Sequence, residues 1–490
     1  MYCRLASALV FGVLAFSVVL SCVADAADKP VFRAGAFAID ITPLELPVIV
    51  NGGMSERVIG TVEDRLHARC IVLDDGKVQL ALVVVDSCMI PRELLDQAKE
   101  MAREATGIPT ERMLISATHT HSAPSVHGCL GSDADEKYSK FLPGQIAKGI
   151  AQAKERLKPA RIGWAVGRDE KNVACRHWEM KPGIAPTNPF GGTKDDTVMM
   201  HPGYENPNKI RATGPADPEV PVLSLQTPDG QPIALLTNYS LHYVGGPKGV
   251  SADYFPLVCE EMRKLLKAAD SRDFMAAHSN ATSGDMWLMD YTKPRRMFDR
   301  QTVAQEVAAA AFEAFQKIEY FDWVPLAMAE EKLTLKIRKP TAEEVEKAQE
   351  FVETFAGRKP KTVPEVYARE TLLMHAMPPT RELKLQAIRL GQLGIAAIPN
   401  ETYASTGLHI KKNSPLKTTM NIELANGCEG YIPPEELHKL GGYTTWRART
   451  SCLQVDAEEK IRDQLVKLLH QVAKQRTDEG AVLSKTAAGK

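Results

Sequence analysis

The chain has 490 residues, with 60 Lys and Arg against 61 Asp and Glu, a formal net charge of −1 and 44% apolar residues. This is an ordinary globular composition, long enough for one large or two ordinary domains. The near-zero charge excludes an electrostatic grip on nucleic acid, and no clear basic amphipathic helix points to docking on a membrane.

In chain order, residues 1–26 read as an export signal. Arg4 is the n-region charge, Leu5 to Leu20 form an apolar core, and Ala24-Asp25-Ala26 is a small-x-small cleavage site before Ala27. The apolar run is short for a span of about 20 residues. A retained anchor is one alternative. A lipoprotein cut at Ser21-Cys22 is another, which Leu20 fits poorly. The chain is expected to be exported, periplasmic or secreted, with no stable membrane span after cleavage.

Short apolar strands then alternate with amphipathic helices. Strands are predicted at Phe32–Ile39, Ala68–Leu73 and Leu80–Val85, a helix at Arg92–Ala105, a strand at Met113–Ala117 and a helix at Tyr138–Leu157. Strands follow at Arg161–Val166, Val222–Gln226, Ile233–Asn238 and Phe274–Ala277, with helices at Tyr254–Ala268 and Val303–Ile318. The last elements are strands at Ala327–Ile337, Leu385–Leu390 and Leu393–Ile398 and helices at Ala342–Phe355 and Ala457–Lys474. The interleaving predicts an α/β fold, a mixed and largely buried sheet flanked by helices, in a single large domain over 27–475.

Glu179–Pro221, rich in proline and glycine and aperiodic, reads as a long loop acting as lid or rim beside Arg176-His177. Lys339–Pro379, charged, helical and proline-bounded, reads as a surface insertion, and 476–490 as a disordered tail. Seven cysteines follow residue 26, none in a C-x-x-C spacing. Cys70 and Cys88 lie in apolar runs and read as buried free thiols, while Cys428–Cys452 is one disulfide candidate.

Chemistry concentrates at strand ends. Met113–Ala117 runs into Thr118-His119-Thr120-His121-Ser122. On an extended chain His119 and His121 share a face, so both can bind a metal, or one can bind it while the other handles substrate. Ile233–Asn238 runs into Tyr239-Ser240-Leu241-His242, Leu393–Pro399 into Asn400-Glu401-Thr402, and a glycine-rich turn into Gly430-Tyr431. Each has a structural alternative: a hydrogen-bonded histidine, a helix-capping glutamate, a half-buried tyrosine.

In order, these segments resemble the catalytic domain of the neutral (non-lysosomal) ceramidases, zinc amidases that hydrolyse the N-acyl bond of ceramide. The resemblance runs from about Arg33 to Lys474. Its anchors are Ala34–Pro43, Arg65–Arg69, Ser116–Ser122, Asn238–His242, Gly284-Asp285, Pro399–Thr402 and Gly430–Tyr443. It implies one Zn2+ per chain held by His119, His242, Glu401 and Tyr431, a set that leaves a position open for water. It implies that His121 faces substrate, that Arg176 contacts substrate and that Tyr443 helps hold the oxyanion. Asp285 is expected to orient a metal-bound imidazole or act as a base, or else to stabilise a turn.

Two departures bear on substrate. Ceramidases carry a serine two residues after Gly-Asp, where this chain has Trp287; an indole cannot reproduce that hydrogen bonding and would reshape the pocket. The family's larger members add an immunoglobulin-like C-terminal domain that has no counterpart here, which weighs against action at a bilayer. The expected activity is zinc-dependent hydrolysis of an N-acyl amide, ceramide or a related N-acyl lipid. The alternatives are hydrolysis of another amide or an ester, and a non-catalytic, metal-stabilised binding protein.

Overall fold

Strands that are apolar on both faces need cover on both sides, and this chain supplies it with three sheets around a shared core. The structure is a computed structural model describing residues 30–190 and 196–475. The expected signal peptide and C-terminal tail lie outside the described residues. From Val31 onward the described residues fall in one compact unit.

The first sheet has the order Met113–Ala117, Gln79–Val85, His67–Asp74, Arg33–Asp40, Lys158–Pro159. The second has the order Met275–Asn280, Pro232–Tyr239, Glu219–Gln226, Arg161–Arg168, Glu319–Phe321. The third runs Leu326–Lys336, Thr380–Leu390, Leu393–Ile398, Thr418–Glu423. Each sheet is antiparallel except for one edge pair, which is parallel. Leu82, Leu114, Leu223, Leu236, Ile395 and Met420, from all three sheets, meet in one buried cluster. Helices cover the outer faces. Arg92–Thr106 and Glu136–Glu155 pack on the first sheet, Phe255–Leu265 and Arg300–Phe315 on the second, and Ala457–Lys474 on the third.

The α/β class and the longer elements match expectation, with Met113–Ala117, Leu393–Ile398 and Ala457–Lys474 agreeing residue for residue. Three readings are corrected. The segment expected as an aperiodic loop from Glu179 to Pro221 contributes to a small antiparallel sheet of Val198–Met200, His177–Met180 and Lys209–Ala212. Strands of three or four residues are too short to show a period. The charged stretch from Lys339 carries a second helix, Val363–Ala376, that buries Val366, Tyr367 and Met374. It also buries Glu370, which a bidentate Arg449 pairs at 2.7 Å. The buried charge escapes a local reading because its partner lies 79 residues away. Finally, Cys428 and Cys452 are free and buried, as are the other five described cysteines.

Candidate metal centre

The three parallel edge pairs share a consequence: their carboxyl ends turn toward one place, where loops begin and sites collect. His119 follows Met113–Ala117, His242 follows Pro232–Tyr239, and Glu401 follows Leu393–Ile398. The first sheet is tied to the third by Ala117 N–H donating to Leu424 O (3.1 Å) and Asn426 N–H to Ile115 O (2.9 Å).

His119 is not on an extended chain. Its φ is +74°, a conformation rarely adopted outside glycine and asparagine. Its backbone N–H is anchored to Ser87 O at 2.9 Å. The expectation that alternation alone aims His119 and His121 together is therefore corrected. A left-handed turn does it, with the rings 4.6 Å apart and perpendicular. Strain of this kind persists where surrounding contacts over-determine it.

The tautomers follow from the hydrogen bonds. His119 Nδ1 donates to Cys88 O at 2.8 Å, and a carbonyl can only accept. His242 Nδ1 faces Ser283 O at 3.2 Å, while the Ser283 hydroxyl donates instead to Glu423 Oε1 at 2.6 Å. Both Nε2 atoms therefore present lone pairs, and they lie 3.0 Å apart. Glu401 Oε2 is 3.2 Å from His119 Nε2, buried and without a hydrogen bond. Burial and then Arg176 hold His242 well below the usual imidazole range. Two lone pairs and a carboxylate oxygen turned on one another repel unless a cation lies among them. The donor set fits a divalent metal.

Tyr431 joins through a two-stranded parallel ladder in which it lies opposite Glu401. Its hydroxyl is 3.4 Å from Arg176 Nη2, and burial, then Glu401, push the phenol well up. Gly430 makes this possible: its φ is +74°, and a Cβ there would lie 2.2 Å from Thr450 O. Tyr443 meets Tyr431 edge-on at 5.7 Å.

His121 is partly exposed and sits at the mouth, its Nε2 3.2 Å from His119 Nε2. Tyr243 stacks on its ring at 3.8 Å. Beside it lies Gly52, whose φ is +97° and where a Cβ would come within 2.6 Å of the imidazole. Gly52→Ala is expected to displace His121 and cut turnover about tenfold or more, because a misplacement on the scale of 1 Å is enough for that. Bound metal should not change. Steady-state kinetics beside metal analysis checks this, and unchanged kinetics would show that the ring position is not critical.

Arg176 is 3% exposed and donates through Nη2 to Gly284 O at 2.9 Å, with His242 Nε2 at 3.4 Å. Burial opposes its charge, but Tyr443, Tyr431 and Glu401 together raise its pKa. Asp285 does not hydrogen-bond either imidazole. Its Oδ1 accepts Ala404 N–H at 2.8 Å, at the start of helix Ala404–Asn413, and its backbone O accepts Arg176 N–H at 2.8 Å. Burial pushes its carboxyl up to about 7. The structure therefore gives it the turn-holding alternative and corrects the expectation of direct contact: backbone carbonyls already satisfy both Nδ1 atoms.

The fold that carries this site has counterparts among solved structures. The neutral ceramidase from Pseudomonas aeruginosa superposes with a TM-score of 0.67 at 17% identity, covering 94% of this chain and 77% of that one. The fold is that of the neutral ceramidases. A ceramidase complexed with C2 gives a TM-score of 0.66 at 16% identity, with the same coverage. In sequence, neutral ceramidase A of Dictyostelium discoideum is 31% identical over 147 residues, 28% of this chain and 20% of that protein. The chain thus aligns with only a fifth of that curated relative's length. No family model matches the chain.

Within the neutral ceramidase fold, the centre contains a residue that sequence reasoning missed. Glu423, fully buried at the end of Thr418–Glu423, accepts Ser283 Oγ (2.6 Å) and Asn280 Nδ2 (3.1 Å) on Oε1 and Thr402 N–H (2.8 Å) on Oε2. It clamps the carbonyl that orients His242 to the residue after Glu401. The one available signal was a carboxylate closing an otherwise uncharged strand. Gly52 and Tyr243 were missed as well, being 69 and 122 residues away from His121.

Proposed function

We propose that this chain is an exported, zinc-dependent amidohydrolase that cleaves an N-acyl amide bond, as in ceramide or a related N-acyl lipid. Residues 1–26 would be its signal peptide and 27–475 its catalytic domain. The observation that carries the reading is the facing pair of Nε2 lone pairs with the hydrogen-bond-free Glu401 Oε2, an arrangement that a cation resolves. The neutral ceramidase fold supports the amide as the bond.

His119, His242, Glu401 and Tyr431 are the residues that would hold zinc, one per chain. When bound, zinc supplies a Lewis acid that polarises a carbonyl and brings the pKa of water toward neutrality. The chain's own groups do the rest. His121, at the mouth, moves a proton through Nε2 to the leaving amine. Arg176 and Tyr443 supply N–H and O–H groups that donate to a developing oxyanion. Asp285 serves as a positioning residue, holding Arg176 and the helix that begins at Ala404. Among the described residues no helix is long and apolar enough to cross a membrane.

The test is metal content of the purified protein, wild type beside His119→Ala, followed by a screen of N-acyl amides. About one zinc per chain in the wild type, little in the variant, and release of free amine would support the reading. Metal with no hydrolysis of any amide would favour the binding-protein alternative. No metal in either, after a zinc reload, would sink the hydrolase mechanism.

A further inference from the structure

Trp287, which stands where the ceramidases have a serine, is 7% exposed, and its indole Nε1 has no hydrogen-bond partner. Three other indoles of the chain are satisfied. Trp178 donates to Cys175 O and Trp323 to Asp75 O, each at 3.0 Å, and Trp446 to Asp196 Oδ2 at 2.6 Å. A buried donor without an acceptor costs stability, and it persists where function uses it.

Its surroundings identify the acceptor it suits. The indole ring lies against His242 at 5.8 Å, Tyr243 at 4.6 Å and His201 at 5.1 Å, so it forms a wall of the metal centre. The Arg176 guanidinium is 5.4 Å from the ring centroid. Arg176 also has an unpartnered Nε, and among the described residues it pairs with no carboxylate; its hydrogen bonds go to a carbonyl, a phenol and an imidazole. Both side chains are held by the same short ladder, Ala174–Cys175 against Met286–Trp287, with Arg176 N–H on Asp285 O. Two donors, one of them a buried cation that no carboxylate hydrogen-bonds, thus lie beside the place where an amide would be cleaved.

We propose that Trp287 Nε1 and Arg176 form a carboxylate subsite, so that the amide this chain cleaves bears a carboxylate, as in an N-acyl amino acid. The inference rests on the hydrolase reading above and narrows its substrate class. A hydroxyl, as on a sphingoid base, satisfies the indole but leaves the guanidinium Nε without a carboxylate acceptor. A carboxylate satisfies both, through charge-assisted hydrogen bonds.

The experiment compares kcat/KM of the zinc-loaded, full-length protein for an N-acylglycine and for the corresponding N-acylglycinamide, which is the same length and uncharged. The wild type is expected to prefer the acid by about tenfold or more, mostly through KM, the scale of one hydrogen bond to a charged group. Trp287→Phe keeps an aromatic wall and removes only the N–H, and should lower that preference several-fold. A wild type that cleaves the neutral amide as well or better overturns the proposal while leaving the hydrolase reading intact. So does a Trp287→Phe variant that loses activity on both substrates with the ratio unchanged. If neither amide is cleaved, the hydrolase reading fails for both, and calorimetric binding then decides the subsite by itself. Tighter binding of the acid, with the difference reduced in Trp287→Phe, supports it, and equal binding overturns it.

Discussion

His242→Ala will lose most of its bound metal and all measurable activity, whereas His121→Ala will keep the metal and lose turnover alone. The two histidines are alike in chemistry and near neighbours, their rings 5.3 Å apart. They differ in what holds them. His242 is 1% exposed, its Nδ1–H is committed to Ser283 O, and its Nε2 points at His119 Nε2 and the bare Glu401 oxygen region. Removing it takes away one of four donors, and the remaining His119, Glu401 and Tyr431 hold a metal far more weakly. His121 is partly exposed, stacked by Tyr243 and close to Gly52. Its loss should cost about 10²–10⁴-fold in kcat, the usual contribution of a positioned proton-transfer group. Metal analysis and kinetics on both variants decide the matter. Equal metal loss in the two would show that the roles are assigned wrongly.

The largest effect on stability is expected at Asp86. Its carboxylate is fully buried, accepts both contacts from Arg69 Nη1 at 2.8 Å and takes His67 N–H at 2.8 Å, while the Arg69 side chain is only 7% exposed. Asp86→Ala leaves a guanidinium buried without its partner, which costs about 3–5 kcal/mol. The next residues, Ser87 and Cys88, supply the carbonyls that hold His119 N–H and Nδ1, so the loss should also loosen the metal centre. Denaturant unfolding reads the first effect. The double variant Arg69→Met, Asp86→Leu should recover most of the stability, since an apolar pair of similar volume commonly replaces a buried ion pair without loss. A double variant as unstable as Asp86→Ala would show that backbone support through His67 N–H, and not the charge, is what matters.

Much of the centre was legible because it obeys a local rule: an apolar strand ends in a reactive side chain. His119, His242 and Glu401 each follow such a run, and the order of the segments, more than any one of them, carried the resemblance to the ceramidases. What was not legible is instructive. Gly52 sits beside His121 only because the hairpin Val48–Val50 with Arg57–Ile59 folds over it, and nothing in Asn51-Gly52-Gly53 names that neighbour. Glu423 looks like a surface carboxylate at a strand end until the second and third sheets close over it. Asp285 kept its place beside glycine, but its hydrogen bonds went to a helix start and not to an imidazole.

The sequence by itself determined the α/β alternation, the longer strands and helices and the chemistry available at their ends, because burial on both faces demands continuous apolar runs and burial on one face a helical stripe. Only the tertiary structure decided that the parallel edges of three sheets end at one point. It also decided that His119 reaches that point through a left-handed turn, and that a tryptophan and an arginine there are left with donors unspent. Convergence of this kind depends on how sheets pack against each other, and no local pattern of residues records that packing.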